Sequence, residues 1–152
     1  MKAASIRCRK CVTVGPSAGL AVAARLMRDE HIGYLVVVEP ERSTGPGGAP
    51  IGVITDRDIV VAVVAREADP CALRVGDVMA RDPVVARNDA SLESVSRLMR
   101  DHGIRRLPVV DAYGRACGVV SMDDILEVLA QELSDVATLI RNEQRIEQVT
   151  RN

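Results

Sequence analysis

The sequence contains no phenylalanine and no tryptophan, and its only aromatic side chains are Tyr34 and Tyr113. The core of the folded protein must therefore be aliphatic, built from Val, Leu, Ile, Ala and Met. Proteins that bind single-stranded nucleic acid rely on aromatic side chains that stack on the bases. The scarcity of such side chains argues against this kind of partner.

Strong net charge and long apolar runs are also missing. The net charge is −1, so we expect no general electrostatic attraction to nucleic acid or to a membrane surface. The longest apolar runs, residues 59–65 and 35–38, are too short to span a bilayer. The first ten residues are basic but have no apolar core typical of a signal peptide, so we expect a cytoplasmic protein.

Cysteine is sparse, with four residues in 152, namely Cys8, Cys11, Cys71 and Cys117. In a cytoplasmic protein, structural disulfides are not expected, and we predict four reduced thiols. Cys8-x-x-Cys11 has a spacing found in metal and redox sites, but no second cysteine pair or histidine cluster completes a zinc set. We therefore predict no metal site, and a metal or redox sensor that uses these two cysteines remains an alternative.

The chain does contain an internal duplication. Arg-Leu-Met-Arg-Asp occurs at residues 25–29 and again at 97–101, and the 72-residue shift extends over much of each half. After a loop the shift becomes 66, which aligns Gly-Val-Ile-Thr (52–55) with Gly-Val-Val-Ser (118–121). Duplication of this kind predicts two similar units with sites where they meet.

Each unit is predicted to run strand, helix, strand, strand, helix. In the first unit we predict strands at 12–14, 34–39 and 51–54, a loop at 40–50 rich in Gly and Pro, and a helix over 56–67. Ser17 is the predicted N-cap of the first helix. In the second unit Asp89 takes that role, the strands are 107–111 and 117–120, and residues 111–114 form a tight turn.

These elements predict an α+β fold with two βαββα repeats related by a pseudo-twofold axis. The first repeat with its lead-in covers residues 1–67, a linker covers 68–82, and the second repeat covers 83–132. Residues 133–152 extend the last helix, which no Gly or Pro interrupts. Its apolar stripe needs a partner, either a helix of a second subunit or the body of the same chain.

A Ser/Thr-x-x-Asp pattern follows the last strand of each repeat, as Thr55 to Asp58 and as Ser121 to Asp124. One interpretation is a helix cap, in which the hydroxyl and the carboxylate satisfy free backbone N–H groups. Another is a grip for a ribose and a phosphate, because a carboxylate accepts hydrogen bonds from ribose hydroxyls and a helix N-terminus suits an anion. The spacing alone leaves both interpretations open.

Four segments together resemble the CBS domain, the module named after cystathionine β-synthase. They are Gly-Val-Ile-Thr-Asp-Arg-Asp (52–58), Val-Gly-Asp-Val-Met-Ala-Arg-Asp-Pro (75–83), His-Gly-Ile-Arg-Arg-Leu-Pro-Val-Val-Asp (102–111) and Gly-Val-Val-Ser-Met-Asp-Asp (118–124). Two such domains in tandem resemble a Bateman module. The resemblance implies a regulatory and not a catalytic role, with adenosyl ligands such as AMP, ADP, ATP, S-adenosylmethionine or NAD and with no required cofactor.

The resemblance also implies two pockets, each formed by both repeats. The first would combine Thr55, Arg57 and Asp58 with Val85, Ala90, Ile104, Arg105 and Arg106. The second would combine Ser121 and Asp124 with Thr13, Ala18, Ile32, Gly33 and Tyr34.

The two predicted pockets differ in charge, because the first has three arginines where a phosphate is expected and the second has none of these. We therefore expect the first to bind the more phosphorylated ligand, and the second to bind weakly, to take uncharged adenosine or to stay empty. The expected partners are an adenine nucleotide, a second copy of the chain and an unknown effector protein. An interaction module with vestigial pockets is the alternative from a different class.

Overall fold

A computed structural model describes residues 8–39 and 47–150. In the first repeat the elements are β1 (Thr13–Val14), α1 (Leu20–Asp29), β2 (Tyr34–Val38), β3 (Pro50–Thr55) and α2 (Asp56–Ile59), which continues as a π-helical segment, Val60–Val64. A short helix α3 (Val75–Val78) and strand β4 (Ala80–Arg81) follow. The second repeat contains β5 (Ala86–Arg87), α4 (Leu92–His102), β6 (Arg106–Val110), β7 (Ala116–Ser121) and α5 (Met122–Thr150).

The two sheets have the same internal topology. The first has the order β1-β2-β3-β4 and the second β5-β6-β7, with the first two strands parallel and the next pair antiparallel in each. Val36 pairs with Val53 in the first sheet and Pro108 with Val119 in the second, so the proline causes no shift of register. The duplicated α+β fold predicted from the sequence is therefore confirmed.

Each sheet is extended by a segment that precedes the other repeat in the chain. Strand β4, from the segment assigned as a linker, pairs with β3 of the first repeat. Arg9, from the lead-in before the first repeat, forms a bridge with Val119 on β7 of the second repeat. The two repeats are thus interlocked by their edge segments.

Each repeat has its own aliphatic core. Leu20, Leu35 and Ile54 are fully buried in the first core, and Val95 and Leu107 are nearly or fully buried in the second. Val36 and Pro108 alternate with these core positions along their strands and are also buried. Both faces of each sheet are therefore covered within one chain.

The predicted N-caps are wrong in both repeats. Gly19 is the N-cap of α1 and has no side chain that could form a cap. The N–H of Leu20 instead donates to the carbonyl of Leu73 at 2.9 Å. A tertiary contact thus replaces the side-chain cap predicted at Ser17. Ser91 caps α4 and accepts from the N–H of Ser94 at 3.1 Å. Asp89 instead accepts two hydrogen bonds from Arg87, at 2.9 and 3.1 Å.

The helix predicted over residues 56–67 is shorter and irregular. The α-helical part ends at Ile59, and the five residues Val60–Val64 are π-helical. Four of these five are valines, whose branched side chains lower helix propensity. The predicted turn at residues 111–114 is present, with Asp111 accepting from the N–H groups of Tyr113 and Arg115.

The long C-terminal helix is confirmed as α5, which spans 29 residues. Leu133 and Leu139 on this helix are about two-thirds exposed, so its apolar stripe does not fold back on the body.

Within residues 8–39 and 47–150, none of the helices has the length and apolar character needed to cross a membrane. Most of the predicted 40–50 loop and of the lead-in, namely residues 40–46 and 1–7, lies outside the described residues.

Candidate functional site

A cleft of about 710 Å³ lies where the two repeats meet. The first repeat contributes the end of β3 and the start of α2, and the second contributes the turn after α4 and the start of α5. Its lining consists of Tyr34, Val53, Thr55, Arg57, Asp58, Ala80, Arg81, Asp82, Pro83, Val84, Gly103, Ile104, Arg105, Arg106, Ser121, Met122 and Asp123.

One carboxylate oxygen of Asp58 is fixed in place, and the other has no hydrogen-bond partner among the residues that the structure describes. Its Oδ2 accepts from the backbone N–H of Thr55 at 2.8 Å and from the Thr55 hydroxyl at 2.7 Å. The Asp58 N–H in turn donates to the Thr55 hydroxyl at 3.1 Å, which completes a capping box. Within the described part of the chain, no hydrogen bond reaches Oδ1. The cap therefore holds Asp58 in one orientation and leaves half of its accepting capacity available.

The cleft carries four arginines, and among the described residues the guanidinium groups of Arg57 and Arg106 have no carboxylate within 4.0 Å. Arg105 lies 3.9 Å from Asp123 across an exposed gap, a separation that makes the ion pair weak. Arg81 donates to the carbonyl of Gly76 at 3.0 Å. Guanidinium groups without acidic partners can form paired hydrogen bonds to a phosphate.

Asp124, the counterpart of Asp58 in the second repeat, is only 3% exposed and has both oxygens in use. Oδ2 accepts from the Ser121 N–H at 2.7 Å and from the Ser121 hydroxyl, while Oδ1 accepts from Nε of Arg9 at 2.8 Å. Burial opposes ionisation of Asp124, but the bonds from Ser121 and Arg9 outweigh it, so the pKa of Asp124 lies below its usual value. Asp124 is not among the residues that line the cleft.

The structure brings part of each predicted pocket to the same cleft. Of the first set, Thr55, Arg57, Asp58, Ile104, Arg105 and Arg106 line it. Val85 and Ala90 do not line it. Val84, the residue before Val85, lines the cleft instead, and Ala90 packs on the second core.

Of the second set, Tyr34 and Ser121 line the same cleft. Thr13 lies exposed on β1, and Ala18 and Ile32 pack against the first core. A side chain at Gly33 would meet the Asp56 carboxylate at 2.5 Å, so a residue with a Cβ cannot replace Gly33 without displacing Asp56. The cleft lining therefore includes none of Thr13, Ala18, Ile32 and Gly33.

Tyr34 is the one aromatic residue of the cleft lining. Burial, and to a lesser degree Cys11, raise the pKa of its hydroxyl, while Arg106 acts to lower it. Tyr34 and Arg106 are counterparts at the starts of β2 and β6, 72 residues apart. Because the pKa of the Tyr34 hydroxyl is raised, the phenol is neutral at physiological pH and available for packing or hydrogen bonding.

The cysteines give little support to a metal or redox site. Burial and the neighbouring Cys117 raise the pKa of Cys11 to about 11, and burial also raises the pKa of Cys8. A redox-active cysteine needs the opposite shift, because the thiolate is the reactive form. In the residues that the structure describes, no three His, Cys, Asp or Glu side chains form a group that could hold a metal ion.

Sequence reasoning missed two arginines at these sites, Arg9 and Arg81. Arg81 lies within the motif 75–83 that carried the family resemblance, and this position could have marked it as a cleft residue. Arg9 contacts Asp124 across 115 residues of sequence, and no local pattern signals that contact.

Comparison with known proteins places the chain in a family. The CBS domain family matches residues 3–65 and 75–131, which is most of the sequence. The chain therefore belongs to the CBS-domain family and carries two CBS repeats.

The chain is also similar to individual proteins and solved structures. An uncharacterized protein of Methanopyrus kandleri is 36% identical over 120 residues, a match covering 79% of this chain and 58% of that protein, so the chain spans little more than half the relative's length. The CBS domain pair of protein MJ0100, solved in complex with 5′-methylthioadenosine and S-adenosyl-L-methionine, superposes with a TM-score of 0.72 at 25% identity, covering 85% of this chain and 99% of that one. A hexameric CBS-CP12 protein from bloom-forming cyanobacteria gives a TM-score of 0.70 at 35% identity, covering 83% and 70%.

Proposed function

We propose that this CBS pair is a regulatory, non-catalytic module that binds a phosphorylated adenosyl ligand in the cleft beside Asp58. The observation that carries the proposal is a cleft in which, among the described residues, Oδ1 of Asp58 accepts no hydrogen bond and the guanidinium groups of Arg57 and Arg106 have no acidic partner. Both groups are built into one cleft, and they are complementary to the two polar parts of a nucleotide.

The ribose is assigned to Asp58. A carboxylate only accepts hydrogen bonds, and the vicinal hydroxyls of a ribose are donors at the right separation for it. The Thr55 bonds fix the carboxylate before the ligand arrives, so little conformational entropy is lost on binding. The hydroxyls of Thr55 and Ser121 are both engaged in caps, which suits binding and not nucleophilic catalysis.

The phosphate is assigned to Arg57, Arg105 and Arg106. Arg57 comes from the first repeat and the other two from the second, so a phosphate bound among them would join the repeats. The structural relative solved with 5′-methylthioadenosine and S-adenosyl-L-methionine supports an adenosyl ligand. Those two compounds carry no phosphate, and the arginines of this chain favour AMP, ADP or ATP over them.

Regulation would follow from this joint contact. A ligand that touches both repeats favours the arrangement in which both sets of groups reach it, and it shifts the equilibrium by its difference in affinity for the two arrangements. An effector protein would read that change. Since such ligands are cytoplasmic metabolites, the proposal also places the module in the cytoplasm.

Ligand binding is tested by isothermal titration calorimetry with AMP, ADP, ATP, NAD and S-adenosylmethionine. We expect Asp58→Asn to weaken binding of every ribose-containing ligand by tenfold or more, since it removes a charged acceptor worth about 1.5–3 kcal/mol. Asp56→Asn is the matched control, because Asp56 lies two residues away on the same helix and outside the cleft lining. Equal affinities for wild type and Asp58→Asn would refute the ribose assignment.

A second function, pairing with another copy of the chain, is favoured by α5. Leu126, Leu129, Leu133, Val136 and Ile140 are exposed and recur at alternating spacings of three and four, the pattern of a coiled-coil seam. The hexameric relative shows that a CBS protein of this similarity can form oligomers. We propose a homodimer held partly by this seam.

The dimer is tested by light scattering coupled to gel filtration. Leu133→Arg should convert the dimer to monomer because it places a charge in the middle of the seam. Ser134→Arg adds the same charge to the adjacent position outside the seam and should leave the dimer intact. A monomeric wild-type protein, or a Leu133→Arg dimer, would contradict the proposal.

A further inference from the structure

We infer that Arg9 occupies the ligand position of the second pocket and thereby limits this CBS pair to one nucleotide site. The inference rests on the proposed function, because it assigns to Asp124 the ribose-binding role proposed for Asp58. It adds a specificity-determining residue that lies outside both Ser/Thr-x-x-Asp motifs.

The first step is the position of the Arg9 backbone. Its N–H donates to the carbonyl of Val119 at 2.9 Å, and its carbonyl accepts from the Val119 N–H at 3.1 Å. Gly118 makes this close approach possible, because a Cβ there would lie 2.9 Å from Cβ of Cys8. Two backbone hydrogen bonds therefore fix the lead-in against β7 and hold Arg9 beside the second pocket.

The second step is the side chain at that position. In the first repeat the residue opposite Val53, the counterpart of Val119, is Ala80. Its methyl group cannot reach Asp58. In the second repeat the same position carries Arg9, whose Nε lies 2.8 Å from Oδ1 of Asp124.

The third step concerns the chemistry of Asp124. Its Oδ2 is already engaged by Ser121, as the Oδ2 of Asp58 is by Thr55. Oδ1 is the oxygen that remains free in Asp58, and in Asp124 it accepts the Arg9 N–H. A guanidinium N–H and a ribose hydroxyl are both donors that compete for this oxygen, so a nucleoside binds Asp124 less readily while Arg9 is there.

The contact is a competitor and not a permanent lock. The Arg9 side chain is 61% exposed, so water competes for its guanidinium and the ion pair with Asp124 is weaker than a fully buried one. Its removal should therefore strengthen binding at the second pocket by about fivefold, which corresponds to about 1 kcal/mol.

The test uses equilibrium dialysis with adenosine, which has a ribose and no phosphate and so does not respond to the arginines of the first pocket. Asp58→Asn removes the ribose acceptor of the first pocket, and Arg9→Met is then added to that variant. We expect the double variant to bind adenosine about fivefold more tightly than Asp58→Asn alone. A further Asp124→Asn substitution should abolish this gain.

Lys10→Met is the matched control in the Asp58→Asn background. It removes one positive charge from the adjacent lead-in residue, which pairs with Glu30 and not with Asp124. Its dissociation constant should stay within about twofold of Asp58→Asn. The converse substitution, Ala80→Arg in the wild-type chain, should weaken adenosine binding at the Asp58 pocket by a similar factor of about five.

The inference is overturned if Arg9→Met/Asp58→Asn binds adenosine no more tightly than Asp58→Asn, or if the gain survives Asp124→Asn. Failure of the proposed function gives a different result. In that case wild type and Asp58→Asn bind adenosine equally. The effect of Arg9→Met is still measured, by comparing Arg9→Met/Asp58→Asn with Asp58→Asn.

Discussion

The two repeats share their strands, their register and their capping motif, yet they present their aspartates differently. In the described part of the chain, Oδ1 of Asp58 accepts no hydrogen bond and lies in a cleft, whereas Asp124 is nearly inaccessible and its Oδ1 accepts from Arg9. In both repeats the Ser/Thr-x-x-Asp motif caps the helix that follows it. Whether the carboxylate is available to a ligand is decided by a residue elsewhere in the chain.

The largest expected difference between the two aspartates is in their contribution to the free energy of unfolding. Asp124→Asn should lower the free energy of unfolding by about 2 kcal/mol, because it removes charge-assisted bonds from a buried group. Asp58→Asn should cost about 1 kcal/mol, the usual cost of a lost cap at a half-buried site. Urea denaturation of both variants against wild type measures the difference.

The stability difference between wild type and Asp124→Asn should depend on pH in a known direction. Since folding lowers the pKa of Asp124, its contribution is present above the unfolded pKa near 4 and is lost as the pH falls through the lower folded value. The stability gap between wild type and Asp124→Asn should therefore shrink on acidification. A gap that stays constant from about pH 6 to pH 3, or an equal cost for both aspartates, would contradict the comparison.

A smaller effect concerns the end of the first helix in each repeat. Gly103 adopts φ +64° there, and its counterpart in the first repeat is His31, with φ 54°. The left-handed conformation suits glycine but strains a residue with a Cβ by about 1 kcal/mol.

His31→Gly should therefore raise the melting temperature by a few degrees, although the greater freedom of glycine in the unfolded chain offsets part of the gain. Gly103→His should lower it. The two substitutions act as controls for each other in differential scanning calorimetry, and shifts of the same sign would show that the helix ends are not equivalent.

Most of the fold could be predicted from the sequence because duplication and hydrophobic spacing are local and repeated signals. Residues 25–29 and 97–101 lie on corresponding helices, as their identity suggests. The N-caps could not be predicted with the same success. The first N–H of α1 is satisfied by Leu73, a residue distant in sequence, so the helix does not need a side-chain cap at Ser17.

The candidate site was predictable to a similar extent. Thr55, Asp58 and Arg106 reach one cleft as their motifs imply, because the ends of strands and the starts of helices position them. The state of Asp124 was not predictable from its motif. It depends on Arg9, whose approach requires a backbone pairing between the lead-in and β7 that only the folded chain displays.

The exchange of edge segments between the repeats means that the duplication is not modular. Strand β4 lies just before the second repeat but completes the first sheet, and Arg9 lies before the first repeat but joins the second. Cutting the chain between the repeats would leave each fragment holding the edge segment that belongs to the other. The bare edges of β3 and β7 would then be open to pairing with any other strand. Two halves expressed separately should therefore find one another by trading these segments, as the subunits of a domain-swapped dimer do.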